Sequence, residues 1–369
     1  MDKILLITAY TPSEKGAAVK NTLYMLRDFS QYFDVDVLYF SDKGDDVYIP
    51  KESNVRVIHV VQNSRSYRIK NALRHIWFHP LFSVRFDSKV KITIQKHIDN
   101  NHYCAIVFDH SQTFMYARNI KYDGYKILLS HDIEAQRVGR SSNFLLYKYC
   151  LHTEKYFLST PNAHLFALCQ KDVNLIKSLY GLDARVSLIY VDNNAALAIP
   201  SKVINEYVML GTWKRPDNYE GALWLINGLS QYLTKRIRIN IVGKNFPIEK
   251  IEVSDKITIN NMGFVNNPYQ LIAECKAMLC PLFSGAGIKV KVIDSLACGT
   301  PVIGTDIAFE GFPEKYNTFM NRCISLKDFA EKIESINIPI DERLSFKKSF
   351  VEEYKSTTIP MWLVGIKEN

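Results

Sequence analysis

The sequence predicts an α/β protein made of two Rossmann-like domains that face a cleft. Its 369 residues are sufficient for two domains, each with a core of its own. Apolar runs of strand length alternate with helical segments through both halves of the chain, which is the rhythm of parallel sheets with connecting helices. The clearest unit spans residues 277–305, where a strand, a glycine loop, a helix, a glycine and another strand follow in turn.

Composition limits the classes of function. Apolar residues make up 47% of the chain and charged residues 23%, ordinary proportions for a soluble globular protein. The net charge of +8 favours anionic partners. The 7 cysteines are odd in number and include no C-x-x-C pair, so neither a zinc site nor a disulfide framework is indicated. We expect a cytoplasmic protein, because the chain opens with a strand rather than a signal peptide and has no apolar run of ~18–20 residues.

The glycine loop and the helix after it have the features of an anion site. Gly285 and Gly287 allow the backbone to approach a ligand closely. A helix from about Ile288 to Cys298 would present its first-turn N–H groups to the same ligand. Gly299 stands where that helix needs a left-handed residue in order to end.

Two lysines and an aspartate give this helix its chemistry. Lys289 and Lys291 place positive charge where the helix dipole disfavours it, and a bound phosphate would neutralise the conflict. Asp294, about one turn later, can accept hydroxyl donors of a ribose or hexose; alternatively, Lys291 and Asp294 form a solvated surface pair. The stretch is not a dinucleotide fingerprint, since Val290 holds the third glycine position, and no G-K-[ST] of a P-loop follows.

This stretch resembles the donor-binding segment of retaining glycosyltransferases of family four, which have the GT-B fold. Members commonly show the pattern P-L-x-x-G-x-G-x-[RK]-x-K-x-x-E-[AS]-x-A-x-G-x-P-V-[VI]. The matching residues are Lys289, Lys291, Gly299, Pro301 and Val302. Asp294 stands where the family has Glu, and the family's other frequent acid would fall on Ala286. The resemblance implies metal-independent, retaining transfer of a hexose from a nucleotide-diphosphate sugar, by front-side attack of an acceptor hydroxyl and without a cofactor.

The segment HDIEAQR, at residues 131–137, resembles the family's H-[ND]-x-E-x-x-R motif. His131 follows the carboxyl end of a predicted parallel strand, where α/β folds place ligand-binding groups. The resemblance implies that His131 approaches the reacting sugar. It also implies that three residues shape the acceptor side: Asp132, Glu134 and Arg137. The alternative is a histidine whose hydrogen bonds merely hold a loop.

Further donor contacts are implied by the same resemblance. Lys214 and Arg215 follow a strand end, where relatives carry basic residues that hold the donor's diphosphate. Alternatively, they belong to a charged turn into a helix capped by Asp217 or Asn218. The implied catalytic residues are His131, Lys214 and Lys289. The implied donor-binding residues are Gly16, Gly211, Arg215, Gly263, Phe264, Val265, Gly285, Gly287, Ile288, Lys291 and Asp294. A turn before a helix explains Gly16 equally well, and any glycine at a strand end would look like Gly263.

Two other segments carry charge patterns. Asp34 and Asp36 have the D-x-D spacing of a metal–nucleotide site, but alternating Asp and Val is more typical of an exposed edge strand. Residues 65–97 interleave basic and aromatic side chains, with Asp87 the one acidic residue. We expect this segment to lie on an anionic membrane. Four residues would insert: Trp77, Phe78, Leu81 and Phe82. The alternatives are nucleic acid, for which no motif is present, and ordinary helices with a solvated basic face.

These observations predict four regions. Residues 1–192 would bind the acceptor, 193–206 would be a linker because periodicity is lost, and 207–355 would bind the donor. Residues 356–369 would form a segment that in the GT-B fold often crosses back to the first domain.

The expected function is sugar transfer in bacterial polysaccharide, O-antigen or glycolipid assembly, at the inner face of the cytoplasmic membrane. Carbohydrate or lipid-linked acceptors are the expected partners, and nucleic acid is not. One alternative is a nucleotide-sugar epimerase on the same fold, although only His131 and scattered carboxylates are available for acid–base chemistry. Another is a non-catalytic membrane-surface protein, which the basic segment alone supports.

Overall fold

Two parallel β-sheets with connecting helices organise the chain in this computed structural model. The structure describes residues 1–14, 17–252, 254–355 and 358–368. The chain divides into two units, of which the first holds Met1–Tyr190 with Thr357–Asn369 and the second holds Val191–Ser356. The prediction of two Rossmann-like α/β domains is confirmed.

The first unit is built on a seven-stranded sheet. Its strands are β1 Lys3–Thr8, β2 Asp34–Ser41, β3 Val55–Gln62, β4 Tyr103–Asp109, β5 Tyr125–Ser130, β6 Ala163–Ala167 and β7 Ala184–Val186. They pair in parallel in the order β3-β2-β1-β4-β5-β6-β7. Its helices before the second unit are α1 Ala17–Phe29, α2 Arg65–Arg74, α3 Pro80–Ser83, α4 Ser88–Asn100, α5 Glu134–Ser141, α6 Phe144–Leu158 and α7 Gln170–Tyr180, with a 3₁₀ helix over Ser111–Tyr116.

The second unit is built on a six-stranded sheet. Its strands are β8 Ile204–Leu210, β9 Ile237–Val242, β10 Ile257–Gly263, β11 Cys275–Cys280, β12 Val302–Gly304 and β13 Met320–Arg322. They pair in parallel in the order β10-β9-β8-β11-β12-β13. Its helices are α8 Asn193–Leu197, α9 Pro216–Leu229, α10 Tyr269–Glu274, α11 Val290–Ala297, α12 Leu326–Ser335 and α13 Ile340–Lys355, and short 3₁₀ helices cover Ile248–Lys250 and Glu314–Tyr316. Helix α14, Ile359–Glu368, belongs to the first unit.

The central strands form because their apolar runs are buried on both faces of each sheet. In β1 the four residues from Ile4 to Ile7 have no exposed surface, as expected for a parallel strand covered on both sides. The strand order reverses between β1 and β4 in the first sheet and between β8 and β11 in the second. Such switch points leave a crevice outside the carboxyl ends of the strands, where ligands of α/β sheets bind.

Two predicted segments differ from the structure for identifiable reasons. The apolar run at 186–191 has the composition of a strand, but β7 ends at Val186. Side chains of α1 hold the next residues instead, since Tyr190 donates its N–H to Asn21 at 3.0 Å and its hydroxyl to Asp28 at 2.7 Å. Residues of the predicted linker lie in the second unit, where α8 begins after Asp192, whose carboxylate accepts the Asn194 N–H at 2.8 Å.

The interpretation of Asp34 and Asp36 as part of an exposed edge strand is wrong. Strand β2 lies inside the sheet between β3 and β1. Asp36 is buried and accepts two bonds from the Arg56 guanidinium, at 2.9 and 2.8 Å, and one from the Tyr103 hydroxyl at 2.6 Å. Burial alone would raise the pKa of Asp36, but these donors lower it below its usual value. The carboxylate is therefore committed to a protein ion pair, which argues against the metal alternative.

The basic segment, residues 65–97, contains α2, α3 and most of α4. Phe82 is 1% exposed and belongs to the core of the first unit, so the prediction that it inserts into a membrane is wrong. Phe78 and Leu81 also pack against that core, and the Phe78 ring stacks on Tyr156 with centroids 5.4 Å apart. Trp77 is 78% exposed. None of the helices in the described ranges is long and apolar enough to span a membrane.

Candidate functional site

Most predicted donor residues of the second unit lie in or beside loops at the carboxyl edge of its sheet, and Lys291 and Asp294 lie in α11, which follows one of these loops. Gly211, Lys214 and Arg215 follow β8, the glycine loop follows β11, and Gly263 ends β10. Because parallel strands end at one edge, segments far apart in the sequence meet there. The switch point between β8 and β11 is part of this edge.

Three glycines pack the ends of β8, β9 and β10 together. Gly211 donates its N–H to Val242 at 3.1 Å, and Gly243 donates to Gly263 at 2.7 Å. Gly243 has φ +126°, and a Cβ atom there would lie 1.9 Å from the Gly211 carbonyl oxygen. A side chain at this position would therefore clash with backbone. Sequence analysis singled out Gly211 and Gly263 but missed Gly243, although it too directly follows a strand.

The loop between β11 and α11 is left-handed at two positions. Gly285 has φ +113° and Gly287 has φ +67°, conformations that favour glycine. Lys289 is the N-cap residue of α11, and its ammonium donates to the Gly287 carbonyl at 2.7 Å and the Ala286 carbonyl at 3.3 Å. Glu310 lies 3.9 Å from the same ammonium. The predicted position of Lys289 at the helix N-terminus is thus observed, and Glu310 is a neighbour that the sequence pattern did not indicate.

Lys291 lies in the first turn of α11 and bonds to another helix. Its ammonium donates to Asn218 Oδ1 on α9 at 2.7 Å and lies 6.0 Å from the centre of the Trp213 ring. Burial lowers the pKa of Lys291, because the charged form is disfavoured away from water. An anion beside this ammonium would counteract that shift.

Asp294 is buried at 8% exposure on α11. The alternative of a solvated surface pair between Lys291 and Asp294 is therefore wrong, since Lys291 bonds to Asn218 and Asp294 does not lie in solvent. Ile288, directly before Lys289, is also buried at 9% exposure.

The basic turn after β8 is exposed. Lys214 is exposed, and Arg215 makes two bonds to the Asp217 carboxylate, at 3.1 and 2.6 Å. Arg215 itself is the N-cap residue of α9, with Pro216 at its first position, so neither Asp217 nor Asn218 caps the helix as the alternative expected. The turn therefore presents two basic side chains at the edge of the sheet, one of them already paired.

After β10, Phe264 is 59% exposed and Val265 is half-buried. The Lys244 ammonium lies 4.8 Å above the Phe264 ring. This exposed ring with a cation over it lies at the edge where Gly263 ends its strand. Gly16, the remaining predicted donor residue, lies outside the described residues.

In the first unit, His131 lies at the carboxyl edge of the sheet beside two residues that sequence analysis did not select. Its Nε2 lies 2.7 Å from Asp109 Oδ1, and the His110 ring stacks on the His131 ring with centroids 3.6 Å apart. His110 Nδ1 lies 3.1 Å from Asp109 Oδ2. Asp109 and His110 end and follow β4, so their position at a strand end was a signal in the sequence. These three side chains are also close enough together to be candidate metal ligands.

Two of the predicted acceptor-side residues differ in environment. Glu134 is buried and accepts a bond from Gln112 at 2.8 Å, and Arg137 lies beside its carboxylate. Burial raises the pKa of Glu134 to about 8 despite Arg137, with nearby Glu154 adding to the rise. Asp132 is partly exposed, and its carbonyl accepts the Ser130 hydroxyl at 2.9 Å.

Comparison with known proteins identifies the class of fold. Residues 205–337 match the family model described as glycosyl transferases group 1, which covers most of the second unit. No curated protein gives a significant sequence match.

Solved structures match both units. Sucrose-phosphate synthase from Thermosynechococcus elongatus is similar with a TM-score of 0.69 at 13% identity, over 100% of this chain and 98% of that one. WaaG, a glycosyltransferase involved in lipopolysaccharide biosynthesis, gives 0.63 at 14% identity, over 98% of each chain. HepE from Anabaena, in complex with UDP and glucose, gives 0.64 at 15% identity, over 100% of this chain and 99% of that one. The chain therefore has the GT-B fold, and the family match supports a glycosyltransferase.

Proposed function

We propose that the protein is a retaining, metal-independent glycosyltransferase of family four that moves a hexose from a nucleotide-diphosphate sugar to an acceptor hydroxyl. The observation that carries this proposal is the lysine-lined glycine loop at the switch point of the second sheet. Gly285 and Gly287 hold a loop that leads into α11, and Lys289 and Lys291 stand at the start of that helix. A diphosphate would meet positive charge and helix N–H groups there.

Catalysis in this proposal is electrostatic. When the bond between the sugar's anomeric carbon and the diphosphate oxygen breaks, the electron pair stays on the diphosphate. Lys214, Lys289 and Lys291, with the first turn of α11, would stabilise that charge without a cation. The partly buried environment of Lys291 strengthens its interaction with an anion, because electrostatic attraction is screened less away from water.

The remaining predicted residues take roles by resemblance. Phe264 offers an exposed aromatic face at the sheet edge, which suits a nucleotide base. His131 is assigned to the reacting sugar, and Asp132, Glu134 and Arg137 to the acceptor side. Because Glu134 is buried and bonded to Gln112, we propose that it supports the acceptor side from within the fold and does not contact the acceptor directly.

Nucleotide binding tests the donor site first. UDP, GDP, dTDP and ADP are compared by thermal shift, since a ligand at about 100 times its dissociation constant stabilises the folded state by about 2.7 kcal/mol. We expect one of them to raise the melting temperature, and no response to any of the four would contradict the donor site. Transfer is then measured with and without excess EDTA, and the anomeric configuration of the product is read by NMR. Persistent activity in EDTA with retained configuration is expected; free nucleotide-sugar epimer without acceptor would favour the epimerase alternative.

We further propose that the first unit binds an anionic membrane through a surface formed by α2, the residues just after it and the start of α6. The exposed apolar side chains of this α2–α6 surface are Ile69, Leu73, Ile76, Trp77, Phe144 and Leu145, each at least 51% exposed. The residues just after α2 contact α6, since the Tyr149 hydroxyl donates to the Ile76 carbonyl and the His79 N–H donates to Thr153 Oγ1 at 2.9 Å.

The positive charge of the α2–α6 surface indicates an anionic partner. Exposed apolar groups of this extent are typical of interaction sites. Exposed basic side chains accompany them: Arg65, Lys70, Arg74 and Lys148. Residues 65–86 and 138–153 contain no Asp or Glu. Aromatic and aliphatic side chains with basic residues around them fit the headgroup region of an anionic bilayer, which is where a lipid-linked acceptor would be found.

A further inference from the structure

One carboxylate and two imidazoles meet at the switch point of the first sheet. Thr8 ends β1, Asp109 ends β4, and the two are register partners. Asp109 is fully buried, with one oxygen 2.7 Å from His131 Nε2 and the other 3.1 Å from His110 Nδ1. The two rings lie nearly parallel, at 12° to one another. The carboxylate thus contacts both imidazoles at the edge where ligands of such sheets bind.

Asp109 is held as an ionised acceptor. Its Oδ2 accepts hydroxyl bonds from Thr8, at 2.9 Å, and from Thr22. With these two hydroxyls and the His131 and His110 nitrogens, the carboxylate is surrounded by groups that can donate hydrogen bonds to it, and such donors favour its ionised form. A carboxylate without a proton can only accept hydrogen bonds, so the nitrogen that faces it must carry the hydrogen.

The state of the His131 ring follows from this contact. Because Nε2 faces Asp109, a neutral His131 is the Nε2–H tautomer and its lone pair is on Nδ1. No hydrogen bond to His131 Nδ1 is found in the part of the chain that the structure describes. We propose that Asp109 is a positioning residue that fixes this tautomer, so that His131 presents Nδ1 as an acceptor for a hydroxyl group of the sugar substrate. The assignment of that hydroxyl to a sugar rests on the proposed function.

His110 limits the movement of the His131 ring. Its own backbone has φ +71°, a conformation that non-glycine residues rarely adopt, and its N–H donates to the Leu129 carbonyl at 3.0 Å. On this backbone its ring stacks against His131 and makes an edge contact with Tyr10, with centroids 4.9 Å apart. A residue kept in an unusual conformation beside a candidate site fits a role in holding the site's geometry.

A bound metal ion is the competing explanation for the same three side chains, which are near enough to share one. The hydrogen bonds argue for the positioning role, since Asp109 Oδ2 already accepts from two threonine hydroxyls and Oδ1 from His131. An ion would have to displace several of these donors. The experiment therefore includes metal analysis as a separate arm.

The tautomer can be read directly by ¹⁵N NMR of the 369-residue chain labelled at its 9 histidines. The His131 signals are assigned by their loss in His131→Gln. We expect the Nε2–H pattern in the wild type and its loss or mixing in Asp109→Asn, whose amide can donate as well as accept. Thr22→Val is the matched control, because it removes a donor to the other carboxylate oxygen and leaves the His131 contact intact. An Nδ1–H pattern in the wild type, or an unchanged pattern in Asp109→Asn, would overturn the proposal.

Two further measurements separate the proposal from its rivals. The first measurement is the metal content of the purified protein. If the protein holds stoichiometric metal, Asp109→Asn loses it and chelation changes the histidine shifts, then the three side chains bind a metal and the positioning role is wrong. With an active donor and acceptor, Asp109→Asn should lower kcat by about tenfold to a hundredfold while the donor KM changes by less than about threefold. If the chain transfers no sugar at all, the proposed function fails, but the NMR result still decides the role of Asp109.

Discussion

The Lys291 ammonium donates to the Asn218 side-chain carbonyl at 2.7 Å, which joins the first turn of α11 to α9. A cation at a helix N-terminus opposes the helix dipole, and burial lowers the pKa of this lysine further. The helix dipole and burial both disfavour the charged form of Lys291, so a partner must stabilise its positive charge. The neutral Asn218 amide provides only part of that stabilisation. A bound diphosphate would supply the rest.

Replacing Lys291 with Met should therefore separate stability from activity. The variant keeps most of the packing but removes a charge that the fold disfavours, so the unfolding free energy should change by less than about 1 kcal/mol. The contact with a diphosphate would be lost, and kcat/KM should fall about tenfold to a hundredfold. Lys327→Met, at an exposed lysine on α12, is the control. Equal kinetics in both variants would contradict the donor-site assignment.

Lys289→Ala should lower both the stability of the fold and the catalytic activity. The dipole argument alone predicts that removal of this charge would be neutral or favourable, but the ammonium donates to the Ala286 and Gly287 carbonyls. Loss of those bonds should cost about 0.5–1.5 kcal/mol, a fall of a few degrees in melting temperature. The catalytic loss should be larger, about tenfold to a hundredfold in kcat/KM. If saturating nucleotide stabilises the variant as much as the wild type, Lys289 does not contact the diphosphate.

Gly243→Ala should destabilise the second unit strongly. The new Cβ would lie 1.9 Å from the Gly211 carbonyl oxygen and 2.9 Å from Trp213 Nε1, in a backbone with φ +126°. Because the nearer atom is backbone, the ends of β8 and β9 must separate, at a cost of roughly 3 kcal/mol or more. Chemical denaturation measures the loss, and Gly365→Ala, where the new atom would have no neighbour within 4 Å, is the control. A loss below about 1 kcal/mol would show that the strand ends adapt.

The sequence predicted the sheets well because the signal for a buried parallel strand is local. A run such as Ile4 to Ile7 is apolar at every position and can only be buried on both faces. Contacts from distant segments that prevent a strand from forming are not visible in a local sequence pattern. The run at 186–191 has strand composition, yet Asn21 and Asp28 bind Tyr190 and the strand ends at Val186.

The candidate site was predicted less completely, because motif spacing gives positions along a chain and not contacts across it. Lys289 and Lys291 were found from their pattern, but their partners Glu310 and Asn218 come from other segments. Asp109 was not selected from the sequence, although it faces His131 across a separation of 22 residues. Phe82 was placed wrongly for another reason. Its aromatic and basic neighbours in the sequence indicated a surface segment, but the Phe82 side chain itself lies in the core.

The buried Glu134 predicts a pH dependence of stability. Its pKa is raised to about 8 by burial, so the folded state holds a proton that an unfolded carboxyl releases near pH 4.5. Between those values the folded state binds more protons, and stability should fall as pH rises from about 5 to 8. Glu134→Gln removes this proton linkage and should gain roughly 3–4 kcal/mol relative to the wild type over that range.

Urea denaturation at pH 5, 7 and 9 measures this effect. Glu331→Gln, at an exposed carboxylate on α12, should give the same difference from the wild type at every pH. Glu154 also has a pKa raised by burial, to about 7, so some pH dependence should persist in Glu134→Gln. A pH-independent difference for Glu134→Gln would mean that Glu134 is ionised throughout the range, with Arg137 as its counter-ion.

Membrane binding should depend on apolar and basic side chains of the α2–α6 surface together. Sedimentation with vesicles of phosphatidylcholine and phosphatidylglycerol measures it. Replacing Leu73, Trp77 and Leu145 with Ser should weaken binding at every salt concentration, because these side chains are at least 70% exposed and their loss removes apolar area that the bilayer would bury. Replacing Arg68, Lys70 and Arg74 with Glu should abolish binding at every salt concentration. The residual binding of the serine variants should still weaken as salt rises, since exposed charges are screened over about 8–10 Å at physiological ionic strength. Ile324→Ser, at an apolar residue of the second unit that is 84% exposed, should bind as the wild type does.

Nucleotide-induced thermal shifts should be unchanged in all of these variants. If the serine and glutamate variants sediment as the wild type does, the surface does not meet the membrane, and a basic face in solvent remains as the explanation of residues 65–97.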